Sequence, residues 1–167
     1  MKIVTVVFVP CKFYVTFYGR MKGVDTVLYF AYGSNLWRQQ MAVRCPEHRE
    51  VGPGRLNGWR WIVTTRGYAS IVVSEGDYVL GTVYELSVAD VLALDRFEGV
   101  AQKAYRKDMI AVDVNGQELD CLVYIDPVVE VGEPKEEYIA RINSGIRDAD
   151  FPEAYVSQYL RPFVPEE

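Results

Sequence analysis

The sequence predicts an α+β fold, a small mixed and mostly antiparallel β-barrel of about six strands with flanking helices. Three observations lead there. Short runs rich in β-branched and aromatic residues recur along the chain. Asn115-Gly116 joins two of them as a tight hairpin turn would. Segments of helical periodicity lie between and after them, one with a capping pattern. At 167 residues the chain can form one domain with a substantial core and is too short to expect two.

Residues 1–26 are expected to stand apart from a main domain at 27–167. The opening MKIVTVVFVP has a Lys and an apolar run only from Ile3 to Val9, with no small-residue cleavage site after it, so it is not expected to be a secretory signal. Two readings remain: KFYVTFYG forms an extra strand, or Met21 is the physiological start. N-terminal mass spectrometry of natively expressed protein separates them.

After Asp25, TVLYFAY reads as a buried strand and Leu36 to Cys45 as a short helix. GRLNGWRWIVTT and ASIVVSEGDYVLGTVYEL are strands, the second folded back at a four-residue turn, Ser74-Glu75-Gly76-Asp77. SVADVLALDRFEG is a helix, with Ser87 at the N-cap, Asp90 three residues on and Gly99 past the end. YRKDMIAVDV and QELDCLVYID make the hairpin, and Pro127 ends it. From Pro134 onward, PKEEYIARINSGI and PEAYVSQYLRPF are helices, each opened by a Pro.

Composition narrows the function. A net charge of −5 without a dense Lys/Arg cluster argues against a nucleic-acid partner. No apolar run approaches the ~18 residues of a membrane span. Cys11, Cys45 and Cys121 are odd in number and scattered, which fits reduced thiols in a cytoplasmic protein. Cys45 and His48 resemble half a metal site, but the chain has only one His and no second pair, so no metal is expected. The twelve Tyr, seven Phe and three Trp suit a sheet-rich core or an aromatic-walled pocket.

Two places invite chemistry. On a wheel at 100° per residue, Val88, Val91, Leu92 and Leu94 form an apolar arc, and both Glu98 and Asp95 fall inside it. A carboxylate facing a core is desolvated, which raises its pKa, and the helix C-terminus disfavours a further negative charge. That tuning suits a general base. The alternative is that Glu98 frays into solvent or pairs with Arg96 or Arg106. Asp95 is the weaker candidate, since it can bond a neighbouring backbone group; its charge, if close, would raise the pKa of Glu98 further.

The second place is Tyr32-Gly33-Ser34-Asn35, between a strand and a helix start, where unpaired amides can take an oxyanion or a carboxylate. The plainer role is that Ser34 or Asn35 is the helix N-cap. Ser34 is a poor nucleophile candidate, because the second Gly of a nucleophile elbow is missing.

YFAYGSNL, followed by ALDRFEGV and then YRK, resembles the gamma-glutamylcyclotransferase family. ASIVVSEGDYVLGTVYELS is similar to that family's sheet segment, and PKEEYIARINSGIRDADFPEAYVSQYL to its C-terminal helices, so the likeness runs from Val27 to Leu160. It implies a small barrel flanked by helices, a substrate loop at Tyr29, Phe30, Ala31, Tyr32, Gly33, Ser34 and Asn35, a catalytic Glu98, and substrate-facing Tyr105 and Tyr138. The extension before Asp25 has no counterpart in the family and could cap or obstruct the barrel mouth. The implied reaction is attack of a gamma-glutamyl α-amine on its own γ-carbonyl, releasing 5-oxoproline and an amine or amino acid. It needs no metal or cofactor. The partner is a small gamma-glutamyl molecule, with no nucleic acid and no membrane, and the chain is a monomer or homodimer. Leaving groups to weigh are a free amino acid, the lysine ε-amine, an amine of a biosynthetic pathway, and cysteinylglycine from glutathione, with Ser-Asn after Tyr-Gly favouring the dipeptide-acting branch. Other readings are a non-catalytic small-molecule-binding module on the same fold and an RNA-binding barrel.

Overall fold

The computed structural model describes residues 19–21 and 24–166, so Cys11 and nearly all of the KFYVTFYG segment lie outside the described residues. Six strands, β1 (Gly19–Met21), β2 (Val24–Ala31), β3 (Arg49–Val63), β4 (Ala69–Ser87), β5 (Arg106–Val114) and β6 (Gln117–Ile125), form one sheet among these residues. The order is β1-β2-β4-β3-β5-β6. All neighbours in that order are antiparallel, whereas β6 also meets β2 in a parallel pairing registered at Tyr29 and Leu122. The sheet therefore curls back on itself, and β2 lies inside with both faces covered. That burial explains why its sequence is a continuous apolar run and does not alternate.

Alternation along β2 divides the core in two. Phe30 and Tyr32 join Trp61, Val83, Val112 and Val123 on one side, together with Tyr138, Ile142, Tyr155 and Leu160 from the C-terminal helices. Tyr29 and Ala31 join Met41, Tyr84, Leu94, Leu122 and Tyr124 on the other. Helix α2 (Val88–Phe97) packs on this second side. Its cap is the expected one: the Ser87 hydroxyl accepts from the Asp90 amide at 3.2 Å. The Asn115-Gly116 hairpin also forms, with both residues at positive φ.

Several expectations are corrected. β4 does not fold back at Ser74–Asp77; it runs through as one strand, and these four residues bulge opposite Gly58 of β3. Gly58 and Gly76 both take positive φ there, and the Ser74 hydroxyl donates to Asp77 at 2.5 Å, so the bulge closes on itself. The helix expected from Leu36 is interrupted. Ser34–Leu36 is a single 3-10 turn, Trp37 is extended, and α1 spans Arg38–Arg44. Helix α3 (Glu136–Ala149) runs three residues past the expected end, and the segment after Pro152 is only a short α4 (Glu153–Tyr155) continued by a π turn at Val156–Leu160. Asp148 of α3 reaches α1, accepting from the Arg38 amide at 2.8 Å, and so replaces a local cap. No helix among the described residues is long and apolar enough to cross a membrane.

Helix α3 seats the loop after β2 by close approach. A Cβ at Gly145 would lie 2.7 Å from Leu36 Cβ and 3.2 Å from the Trp37 amide nitrogen. Helix propensity alone would make Gly145→Ala stabilising by about 1 kcal/mol. The clash dominates here, and the variant is expected to lose about 1–3 kcal/mol in urea unfolding. A gain in stability would show that the loop yields without cost.

Candidate active site

The loop that ends β2 is fixed from several directions. The Tyr32 hydroxyl donates to the Tyr124 carbonyl at 2.5 Å, and the Tyr32 carbonyl accepts from the Trp61 indole at 3.0 Å. Gly33 precedes the 3-10 turn without a side-chain cap, so neither Ser34 nor Asn35 serves as the N-cap. The Ser34 amide instead donates to the Tyr138 hydroxyl at 3.3 Å, and the Ala69 amide donates to the same oxygen at 3.4 Å. Burial pushes the Tyr138 phenol up to about 12, so it stays protonated and keeps a hydrogen to donate.

Asn35 is a node. Its Nδ2 donates to the Tyr29 hydroxyl (2.8 Å) and to Glu98 Oε1 (3.2 Å), while its Oδ1 accepts from Gln40 Nε2 (3.0 Å) and Arg44 Nη1 (2.9 Å). All four positions of the amide are filled, on a side chain that is almost completely buried. Gln40 also donates to the Ser34 hydroxyl at 2.9 Å.

Glu98 sits at the C-cap of α2, its amide bonded to the Leu94 carbonyl at 2.8 Å. The wheel placed it correctly in the interior, but for a different set of neighbours. The buried residues of α2 are Asp90 and Leu94, two turns and one turn before Glu98, whereas Val88 and Leu92 are about half exposed. The partner of Glu98 is Arg44, at 3.5 Å, and not Arg96 or Arg106; Arg106 pairs with Asp108. The side chain of Glu98 is 17% exposed. Desolvation raises its pKa above the ordinary value, with Arg44 and Asn35 pulling the other way. Asp95 is held outside this group by Lys107 (2.9 Å) and the Tyr124 hydroxyl (2.7 Å).

Glu98 stands where two cavities meet. The wider, about 230 Å³, is lined by Ser34, Arg44, Arg66, Tyr68, Phe97, Glu98, Tyr105, Tyr138 and Arg141, among others. The narrower, about 30 Å³, shares Ser34, Glu98, Tyr105 and Tyr138 and adds Tyr29, Tyr32, Gly33, Asn35, Ala69 and Tyr124. Eight of the ten residues expected at the site thus converge on these walls. Phe30 and Ala31 line neither cavity; Phe30 turns into the opposite core. The Tyr105 hydroxyl donates to the Ala69 carbonyl at 3.0 Å, which braces it across the cavity from the loop.

Sequence reading missed Gln40, Arg44, Arg66 and Arg141. The first two carried a signal, being one turn apart on the helix that directly follows the loop. Arg66 and Arg141 come from distant segments and carried none. Among the described residues, no group of three or more His, Cys, Asp or Glu is placed to hold a metal ion. Cys45 is buried with its thiol towards the Asp90 carbonyl at 3.7 Å, and His48 Nδ1 lies 2.6 Å from the Cys45 carbonyl. Burial pushes the Cys45 thiol up to about 12.

Comparison with known proteins finds relatives that match most of the chain. The family described as "Gamma-glutamyl cyclotransferase, AIG2-like" matches residues 29–145. A gamma-glutamylcyclotransferase of Mus musculus is 30% identical, the match covering 86% of this chain and 81% of the mouse protein. One from Homo sapiens is 28% identical with the same coverage. A solved structure titled "Gamma-glutamyl cyclotransferase" superposes with a TM-score of 0.76 at 27% identity, covering 85% of this chain and 90% of its own.

The buried carboxyl has a measurable cost. Its folded pKa lies above the unfolded value, so the folded state loses stability as pH rises through the raised pKa. Glu98→Gln removes that loss and is expected to melt at a higher temperature than the parent at neutral pH. The gap should close below about pH 4, where both folded and unfolded carboxyls are protonated. A lower melting temperature at neutral pH would mean that the Arg44 contact outweighs burial.

Proposed function

The chain belongs to the gamma-glutamyl cyclotransferase, AIG2-like family, and we propose that it converts a gamma-glutamyl substrate to 5-oxoproline and a free amine, with Glu98 as the proton carrier. The observation that supports this best is a desolvated glutamate, held by Asn35 and Arg44, in the wall shared by two cavities. The glutamyl tail lies along the wall the cavities share, and the departing group occupies the wider one.

The α-amine attacks the γ-carbonyl carbon of its own molecule, so a carbon–nitrogen bond forms in the ring and the original amide bond breaks. Glu98 takes a proton from the α-ammonium as attack begins and delivers it to the departing nitrogen. The α-nitrogen gives up two protons in all and the leaving amine gains two, so none is consumed. Holding the tail in a near-attack geometry supplies much of the acceleration, up to ~7–11 kcal/mol in favourable cases.

The tetrahedral oxyanion needs a donor, and the Tyr138 hydroxyl meets that need. Its lone pairs take the Ser34 and Ala69 amides, so its hydrogen remains for the substrate oxygen. Tyr29, Tyr32 and Tyr105 close the pocket around the ring being formed, and the Tyr32–Asn35 loop grips the α-carboxylate. Asn35 keeps the Glu98 carboxylate turned into the cavity.

Release of 5-oxoproline across a panel of gamma-glutamyl compounds is the direct test. Glu98→Gln should retain the fold and lose at least ~10²-fold in turnover. Because burial raises the carboxyl pKa, the acid limb of kcat/KM in the parent enzyme should fall above the ordinary value of 4.5. Activity is then lost as pH drops through that raised value, since the base must be ionised. Near-parental turnover in Glu98→Gln would remove this residue from the mechanism.

A further inference from the structure

Two residues of the wider cavity, Arg66 and Arg141, have no role in the proton transfers just described. The charged side chains of the whole cavity are three arginines, Arg44, Arg66 and Arg141, against the single carboxylate of Glu98. Arg44 is committed to Asn35 and Glu98. Arg66 is built in a different way. It comes from the connection between β3 and β4, and its Nη1 donates to Asp126 Oδ2 at 2.9 Å and to the Ala104 carbonyl at 2.6 Å.

Asp126 has a completely buried side chain. It is held in turn by the Thr64 hydroxyl (3.2 Å) and the Val128 amide (2.9 Å), and it does not line the cavity. The guanidinium also lies 5.4 Å from the Tyr105 ring centroid. Its remaining donors, Nε and Nη2, make no hydrogen bond among the described residues, although the side chain is only 34% exposed. A planar fork fixed at one edge by a buried acid, with its other donors unused beside a cavity, is preorganised for a carboxylate. Arg141 adds positive charge to the same cavity. Its partner Glu137, at 3.6 Å, is not part of the lining.

We infer that Arg66 is the specificity-determining residue for the leaving group, binding a carboxylate on the departing amine. The inference rests on the cyclotransferase reading above. Gamma-glutamyl amino acids and peptides then bind with their free carboxylate at Arg66, and a leaving group that carries a cation and no carboxylate, such as a diamine, meets two guanidinium groups and is rejected. Asp126 is the positioning residue behind Arg66.

The test compares gamma-glutamyl-alanine with gamma-glutamyl-alaninamide, which differ only in that carboxylate. The parent enzyme should favour the acid in kcat/KM by roughly 10- to 100-fold, the range of a charge-assisted hydrogen bond. Arg66→Gln should bring the ratio to within about threefold, mainly through a higher KM for the acid, and Arg66→Lys should lie between. An unchanged ratio in Arg66→Gln, equal losses on both substrates, or no preference in the parent enzyme would each overturn the assignment. If Arg66→Gln does not fold, Arg66→Lys and the parental preference decide. Absence of 5-oxoproline from every gamma-glutamyl compound defeats the cyclotransferase reading itself, and this inference with it; turnover without the preference defeats only the role of Arg66.

Discussion

The amide of Asn35 is the contact on which the rest of the site depends. It joins the end of β2 through Tyr29, helix α1 through Gln40 and Arg44, and the end of α2 through Glu98. The first two flank Asn35 and the third is about sixty residues on, and without a common partner each would bury a polar group at a cost of about 1–3 kcal/mol. Because every donor and acceptor of Asn35 is used, no rotation of its amide preserves the set. The carboxylate of Glu98 is thus held in a defined orientation while it remains largely dry. Arg44 serves both partners, and its charge limits how far burial can lift the Glu98 carboxyl.

The sheet makes this node possible. β2 is covered on both faces, so Tyr29 can point towards α2 while Phe30 fills the opposite core. Closure through Tyr29 and Leu122 sets β6 beside β2, which places Tyr124 next to the loop and lets its carbonyl hold Tyr32. Gly145 then allows α3 to press against the 3-10 turn, and the same helix contributes Tyr138 to the loop's amides. The wall facing Glu98 is accordingly assembled from the loop after β2, the start of β4, the segment before β5, and α3.

What could be read in the sequence was what local chemistry determines. Asn115-Gly116 forces a tight hairpin whatever surrounds it, and Ser87 caps its helix with its own side chain. The position of Glu98 was legible because it follows Leu94 by one turn, even though Val88 and Leu92 misled about which residues define the buried face. Ser74-Glu75-Gly76-Asp77 has the composition of a turn and of a bulge alike; the opposing Gly58 decides between them, and no local pattern reveals that pairing. Asn35 looked like a helix cap because one of its four partners, Glu98, is 63 residues away. Arg66 was invisible for the same reason, since its role follows from Asp126 at the far end of β6.

The saturation of Asn35 also bears on how such a pocket can evolve. Removing the hydrogen-bonding group of Tyr29, Gln40, Arg44 or Glu98 strands an atom of the shared amide, so single substitutions that delete it are penalised even where a suitable pair would be tolerated. Sequence change at this centre is therefore epistatic, advancing by compensated steps or not at all. Rim positions such as Tyr68 and Arg141 lie outside that linkage and are free to vary one at a time, so substrate range can diversify while the proton-handling centre stays locked.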